Sequence, residues 1–333
     1  MRRFWTWMLV AIGVWCGVAA AADAEETHVI KVATVAPEGS VWLKVMRKMA
    51  DDLKQSSGGR LEVKFFAGGV LGDDKVVLDK MRFGQVQAAG LTGVGLGELV
   101  PEVRVMEMPF QYTSYRQVDC VLESLYDEFA RKFEEKGFVL LGWSDQGFVY
   151  VFSKNRIQSP TDMKGAKPWV WEADVLAKAV FKAIGLNPVP LALQDVFTSL
   201  QTGLIDTVYI SPVAAIALQW YTKVSYMVDM PIANGSGAIV MSKAAFDKLP
   251  ADLQALLRDR VPKYAKKLSQ ATRQLNDRSI QVLAEKGITV LKPDAGQVGG
   301  FQAKGLEAAR SLQGQLFSRE LLDRVLARIA KCK

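Results

Sequence analysis

Trp169 and Trp171 stand one residue apart in the stretch 159–212, and Tyr209 lies near its far end. Side chains alternate along an extended segment, so both indoles share one face of a short strand. If that face meets a cleft, the pocket behind it is wide and apolar with a few polar handles. In the alternative, one indole lines the cleft and the other packs in the core. Trp143 and Tyr150 upstream and Trp220 and Tyr221 downstream add aromatic surface. Glu172 follows directly; it reads either as an exposed strand-end acid or as the partner of a polar or cationic group, since indoles beside an acid also suit a quaternary amine. Arg104 is a cation that could meet a carboxylate from elsewhere in the chain, or form a surface or interdomain salt bridge.

The remaining inventory excludes a good deal. His28 is the only histidine. A Ser-His-Asp or Cys-His arrangement, an H-E-x-x-H helix and a histidine-containing zinc cluster therefore have no basis. Gly93, Gly95 and Gly97 lack the βαβ frame and the acid of a dinucleotide site and read as a loop lining a cleft. No pair of acids stands out, so neither catalysis, a metal nor a cofactor is expected. The formal charge of +7 is spread along the chain without a basic stripe, so nucleic acid is not an expected partner.

Half of the residues are hydrophobic and 23% are charged, and 333 residues leave room for two domains. Strand and helix patterns alternate, which argues α/β with a mainly parallel sheet. Strands are expected over 29–35, 60–67, 86–91, 167–171, 207–210 and 288–291. Helices are expected over 41–55, 73–83, 115–136, 175–184, 195–202 and 318–331, with Gly185 and Gly203 at helix C-caps. The apolar runs 138–152 and 237–241 read as strands that cross between domains. Residues 243–286 carry a long helical pattern that Pro250 and Pro262 should break or kink.

Residues 1–24 read as a secretory signal: Arg2 and Arg3, an apolar run to Val18, and small-residue cleavage sites near 22–24. Cleavage after Ala22 removes two arginines and no acid, so the formal charge falls from +7 to +5. The mature protein is expected in the periplasm. Cys16 leaves with the signal. Cys120, inside a helical pattern, reads as a buried thiol and Cys332 as an exposed tail residue, although export permits a disulfide between them.

Several ordered motifs resemble the extracytoplasmic binding proteins of TRAP transporters. Asp162, Lys164, Gly165 and Lys167 match a D-L-K-G-x-K-x-R frame. Val32-Ala33-Thr34 with Pro37, Gly39 and Ser40 matches the opening strand and ligand loop. Gly69–Gly72, Pro109-Phe110, Gly142, Gly203–Asp206 and Lys248-Leu249-Pro250 follow in the family's order. The resemblance implies two α/β domains of the periplasmic-binding-protein type, with crossing strands, a long late helix and an interdomain ligand cleft that closes on a hinge. Domain I would comprise residues 25–147 and 235–274, and domain II residues 148–234 and 275–333. Catalysis is not implied. The ligand would pass to a membrane permease or, in a ligand sensor on the same fold, the closed form would be presented to a receptor.

The departures bear on the ligand. Trp169 stands where the family's carboxylate-clamping arginine is usual, and Val149 where a second arginine often stands. A buried carboxylate without a cationic partner is costly, so small dicarboxylates and sialic acid are not expected to bind. The ligand is expected to be apolar or amphipathic. The resemblance is to a branch that lacks the arginine and goes with a tetratricopeptide-repeat partner. Expected contacts are Trp143, Val149, Trp169, Trp171, Glu172 and Tyr209. Pro37, Glu38, Phe66 and Thr92 complete the expected set.

Overall fold

The computed structural model describes residues 26–332, so the expected signal segment lies outside the described residues. Ten strands are present: β1 (His28–Thr34), β2 (Leu61–Phe66), β3 (Ala88–Thr92), β4 (Phe138–Ser153), β5 (Trp169–Trp171), β6 (Val189–Leu191), β7 (Thr207–Ile210), β8 (Tyr226–Val228), β9 (Ala233–Ser242) and β10 (Thr289–Leu291). The helices are α1 (Val41–Ser56), α2 (Asp74–Arg82), α3 (Gly93–Leu99), α4 (Tyr115–Glu135), α5 (Val175–Ile184), α6 (Val196–Thr202), α7 (Pro212–Ala217), α8 (Lys243–Phe246), α9 (Ala251–Glu285), α10 (Ala295–Ser311) and α11 (Arg319–Lys331).

One sheet runs in the order β10-β8-β4-β9-β3-β1-β2, with β7 added to β4; β5 and β6 form a separate pair. The sheet is mixed, not mainly parallel. β1 pairs in parallel with β2 and β3, whereas β4 and β9 pair antiparallel with each other, and β9 is antiparallel to β3. These two long strands carry the sheet from the β1–β3 half into the β5–β7 half. β4 is buried along nearly its whole length because helices cover it, hence its unbroken apolar run. The β4–β9 register shifts between Asp145 and Gly147, at a glycine with φ +72°. Such a bulge bends a strand locally.

α9 runs through Pro262 as one 35-residue helix, contrary to the expected break, while Pro250 precedes its first residue. Val261, Ala265 and Leu268 pack with Val139 and Leu141 of β4 in one apolar cluster. A Cβ on Gly142 would come within 2.9 Å of the Ala265 Cβ and 3.3 Å of the Pro262 Cα. The glycine brings helix and strand together at the proline, and that packing outweighs the lost backbone hydrogen bond.

Three further expectations are corrected. Cys120 and Cys332 are joined in a disulfide, Cα atoms 6.3 Å apart, and Cys332 is buried. Both ends belong to packed helices, since α11 lies on α4, and sequence spacing carries no trace of that contact. Residues 93–97 form α3 instead of a loop, capped by Thr92 Oγ1, which accepts from Gly95 N. α10 was not anticipated: Gly296, Gly299, Gly300 and Gly305 depress its intrinsic helix propensity. Gly305 is needed there, because a Cβ would come within 2.6 Å of the Pro109 carbonyl oxygen.

Candidate ligand-binding site

A cavity of about 530 Å³ opens between the two halves. That volume suits a small organic molecule. On one side stand Pro37, Trp42 and Thr92, with Arg104 and Glu107 from the tight turn Pro101–Glu107. On the other stand Trp169, Trp171, Val180, Phe181 and Tyr209. Val149 of β4 and Asn234 and Ser236 of β9 line it where the crossing strands pass.

The aromatic side is a self-packed wall. Trp169 stacks on Tyr209, ring centres 5.0 Å apart, and meets Trp220 edge-on at 5.4 Å and Trp171 at 5.9 Å. Both strand tryptophans line the cavity, but Trp171 is half-buried there, whereas Trp169 is 1% exposed and belongs to the main core cluster. Trp169 Nε1 donates to the Leu191 carbonyl at 3.0 Å, and Trp171 Nε1 donates to Asp73 Oδ2 at 2.9 Å, reaching across to the loop before α2. Phe110, with φ +62°, projects into the cavity beside this wall. It is held there by its N–H bond to the Ile232 carbonyl at 2.7 Å and by stacking on Phe301. A bulky residue at positive φ stores strain that surrounding contacts must outweigh.

A buried ion cluster joins the halves. Arg104 Nη2 donates to Asp174 Oδ1 at 2.7 Å, and Arg104 Nε lies 3.0 Å from Glu107 Oε2. Asp174 also accepts from Tyr209 Oη at 2.9 Å and caps α5 through Ala177 N at 3.1 Å. Glu107 Oε1 accepts from Ser236 N at 2.7 Å. Burial works against the Arg104 charge, but Asp174 and Glu107 outweigh it and hold its pKa above the ordinary value. Burial pushes the Glu107 carboxyl up, opposed by Arg104. The chain thus supplies its own carboxylates to this arginine. Arg104 forms an interdomain salt bridge, one of the roles open to it in the sequence.

The glycines of α3 exist for this cluster and its neighbour. A Cβ on Gly93 would lie 2.0 Å from Glu107 Oε1, and one on Gly97 would lie 2.9 Å from Arg104 Cδ. One on Gly95 would meet Asp74 Oδ2 at 2.5 Å. Asp74 accepts from the backbone N–H and the hydroxyl of Thr92, at 3.1 and 2.5 Å, yet burial still pushes its carboxyl up to about 6.

Of the residues singled out in the sequence, Pro37, Thr92, Val149, Trp169, Trp171 and Tyr209 line the cavity. The other four do not. Trp143 faces α4 and stacks on Phe129, ring centres 5.8 Å apart. Glu38 is exposed and pairs with Arg47 at 2.8 Å. Glu172 is exposed, and its carbonyl accepts from Lys178 Nζ. Phe66 ends β2, half-buried, away from the opening. Sequence reasoning missed Trp42, Glu107, Asp174, Asn234, Ser236 and Ser211, all of which line the cavity. Asn234 and Ser236 carried one signal: alternate polar residues at the start of an otherwise apolar strand.

Residues 32–312 match the family described as bacterial extracellular solute-binding protein, family 7 (DctP). A solute-binding protein of Verminephrobacter eiseniae is 29% identical over 276 residues, covering 82% of this chain and 81% of that protein. The C4-dicarboxylate-binding periplasmic protein DctP of Rhodobacter capsulatus is 24% identical over 267 residues, covering 79% and 80%. The crystal structure of the sugar acid binding protein DctPAm from Advenella mimigardefordensis, in complex with galactonate, superposes with a TM-score of 0.87. It is 22% identical and covers 92% of this chain and 99% of that one, so the two share the two-domain α/β fold. Among the described residues no helix is long and apolar enough to cross a membrane. The match across most of the sequence, on a fold with a cleft between crossing strands, places this chain among the bacterial extracellular solute-binding proteins of family 7, which are receptors and not enzymes.

Proposed function

We propose that this chain is the periplasmic receptor of a TRAP-type secondary transporter and that its ligand is apolar or amphipathic, not a small carboxylate. One observation carries the reading. The position of the usual clamping arginine holds Trp169, and Arg104 is already engaged by Asp174 and Glu107. A ligand carboxylate would have to displace a bonded internal one or lie unpaired beside two acids, and either is costly. The aromatic wall offers apolar contact instead.

In this reading residues 1–24 direct export and are cleaved near residues 22–24. Domain I comprises 25–147 and 235–274, and domain II 148–234 and 275–333. The halves hinge where β4 and β9 cross, near the bulge at Gly147. Ligand binding stabilises the closed form by differential affinity, and the closed receptor docks on the membrane permease. A tetratricopeptide-repeat protein is a further partner of this type of receptor. Trp169, Trp171, Tyr209, Val149, Pro37 and Thr92 are the proposed contacts among the residues marked in the sequence.

A second reading follows from the relatives. The Rhodobacter capsulatus protein is named for C4-dicarboxylates, and DctPAm was solved with galactonate. An acid could be held here if Arg104 left Asp174. Titration calorimetry of the wild-type protein with succinate and galactonate separates the two. The apolar reading expects no binding heat from either. Micromolar binding of one of them would replace it with the carboxylate reading.

A further inference from the structure

Three side chains that line the cavity hold polar atoms with no hydrogen-bond partner: both amide atoms of Asn234 and the hydroxyls of Ser236 and Ser211. All three residues are at most 1% exposed. Buried polar atoms are nearly always paired, so an unpaired set at one cavity marks the place of a missing partner. Asn234 and Ser236 are two residues apart on β9 and share a face. Ser211 occupies the N-cap position of α7, yet its hydroxyl makes no capping bond.

The chemistry of these groups is specific. An amide offers one acceptor and donors, and a hydroxyl offers both; none carries charge. The charged neighbours are committed. Arg104 is paired with Glu107 and Asp174, and Asp145 with Arg273. The other cation in the lining, Lys44, sits on an exposed position of α1. An anion at the β9 strip would face Glu107, and a cation would find the nearby carboxylates already engaged.

We infer that the ligand's polar end is an uncharged group that both donates and accepts hydrogen bonds, of the carboxamide or lactam type. Asn234, Ser236 and Ser211 hold it, while the rest of the ligand lies against Trp169, Trp171 and Tyr209. This rests on the receptor reading above and narrows it to one chemical class.

The test uses three probes of one shape: 2-naphthamide, 2-naphthoate and 2-methylnaphthalene, titrated calorimetrically at neutral pH into the mature protein. The amide should bind about tenfold or more tighter than either of the others, a difference that one or two good hydrogen bonds supply. Asn234→Leu keeps the branched shape without the polar atoms and should erase that preference while leaving 2-methylnaphthalene bound. Ser236→Ala and Ser211→Ala should each weaken the amide roughly threefold to tenfold. The two serine variants carry the test if the asparagine variant does not fold. Naphthoate binding as tight as the amide overturns the inference, whether or not Lys44→Gln abolishes it. So does an amide affinity that none of the three substitutions changes. Val180→Trp places an indole on the cavity lining, takes up part of the space and separates the two levels. If the probes bind this variant with unchanged affinity, the cleft reading itself fails. If they are lost there while the β9 and Ser211 variants change nothing, only the polar-end inference fails.

Discussion

Two groups of cavity-lining residues, the aromatic wall and the strip formed by β9 and Ser211, differ in how their side-chain polar atoms are used. On the aromatic side, Trp169 Nε1 has Leu191, Trp171 Nε1 has Asp73 and the Tyr209 hydroxyl has Asp174. The side-chain polar atoms of Asn234 and Ser236 on β9, and of Ser211, have no partner within the protein. A satisfied wall is set by the fold and keeps its shape when the cleft is empty. An unsatisfied strip costs stability and is retained where something outside the chain completes it. Both groups line one cavity, and hydrogen bonding separates them.

Substitutions that exchange satisfied and unsatisfied groups test that contrast. Asp174→Ala should have the largest effect. It leaves Arg104 buried with one partner fewer and uncaps α5, and should destabilise by about 3–5 kcal/mol in denaturant melts. An effect below about 1 kcal/mol would mean that the cluster is not formed in solution. Asp74 asks whether hydrogen bonds alone make a buried carboxylate comfortable. Its native pKa of about 6 lies above the ordinary 3.8, so the unfolded chain releases its proton first as pH rises. Its contribution is therefore neutral below about pH 4. It becomes destabilising between about pH 4 and 6 and is constant above that, at about 3 kcal/mol by linkage. Asp74→Asn should keep both Thr92 bonds, remove that drop and raise stability at pH 7.5 but not at pH 4. Equal effects at the two pH values would refute the assignment.

Smaller effects should separate the two sides directly. Trp169→Phe strands the Leu191 carbonyl and should cost about 1–2 kcal/mol. Asn234→Leu removes two stranded atoms with the same branched shape and should raise the stability of the ligand-free protein by about 1 kcal/mol. Opposite signs in the same melt assay support the contrast, and a loss at both positions breaks it.

Much of the fold was legible because its signals are local or continuous. β4 and β9 were visible as apolar runs that sheet and helices cover on both faces, and Gly185 and Gly203 cap helices with positive φ, at 87° and 77°. The site was half legible. The Trp169–Trp171 pair showed itself by alternation, but the partners of Arg104 did not. Asp174 lies 70 residues away, and only the tertiary fold brings the two together. Gly93, Gly95 and Gly97 read as a loop because propensity disfavours glycine in helices, while their actual constraint is the approach of Glu107, Asp74 and Arg104. Glu38 and Trp143 failed for the opposite reason: the right region was identified, but their side chains point elsewhere, to Arg47 and Phe129. The disulfide depends on α11 lying on α4, which sequence spacing does not encode.

The proposed occupant of this cleft is an uncharged, largely apolar molecule. The most direct measurement is native mass spectrometry of the protein purified without denaturation from its own host, followed by identification of the released compound. The account predicts a neutral molecule with an apolar body and one hydrogen-bonding end, absent from Val180→Trp purified in parallel. A small mono- or dicarboxylate released from the wild-type protein and missing from that variant would contradict it.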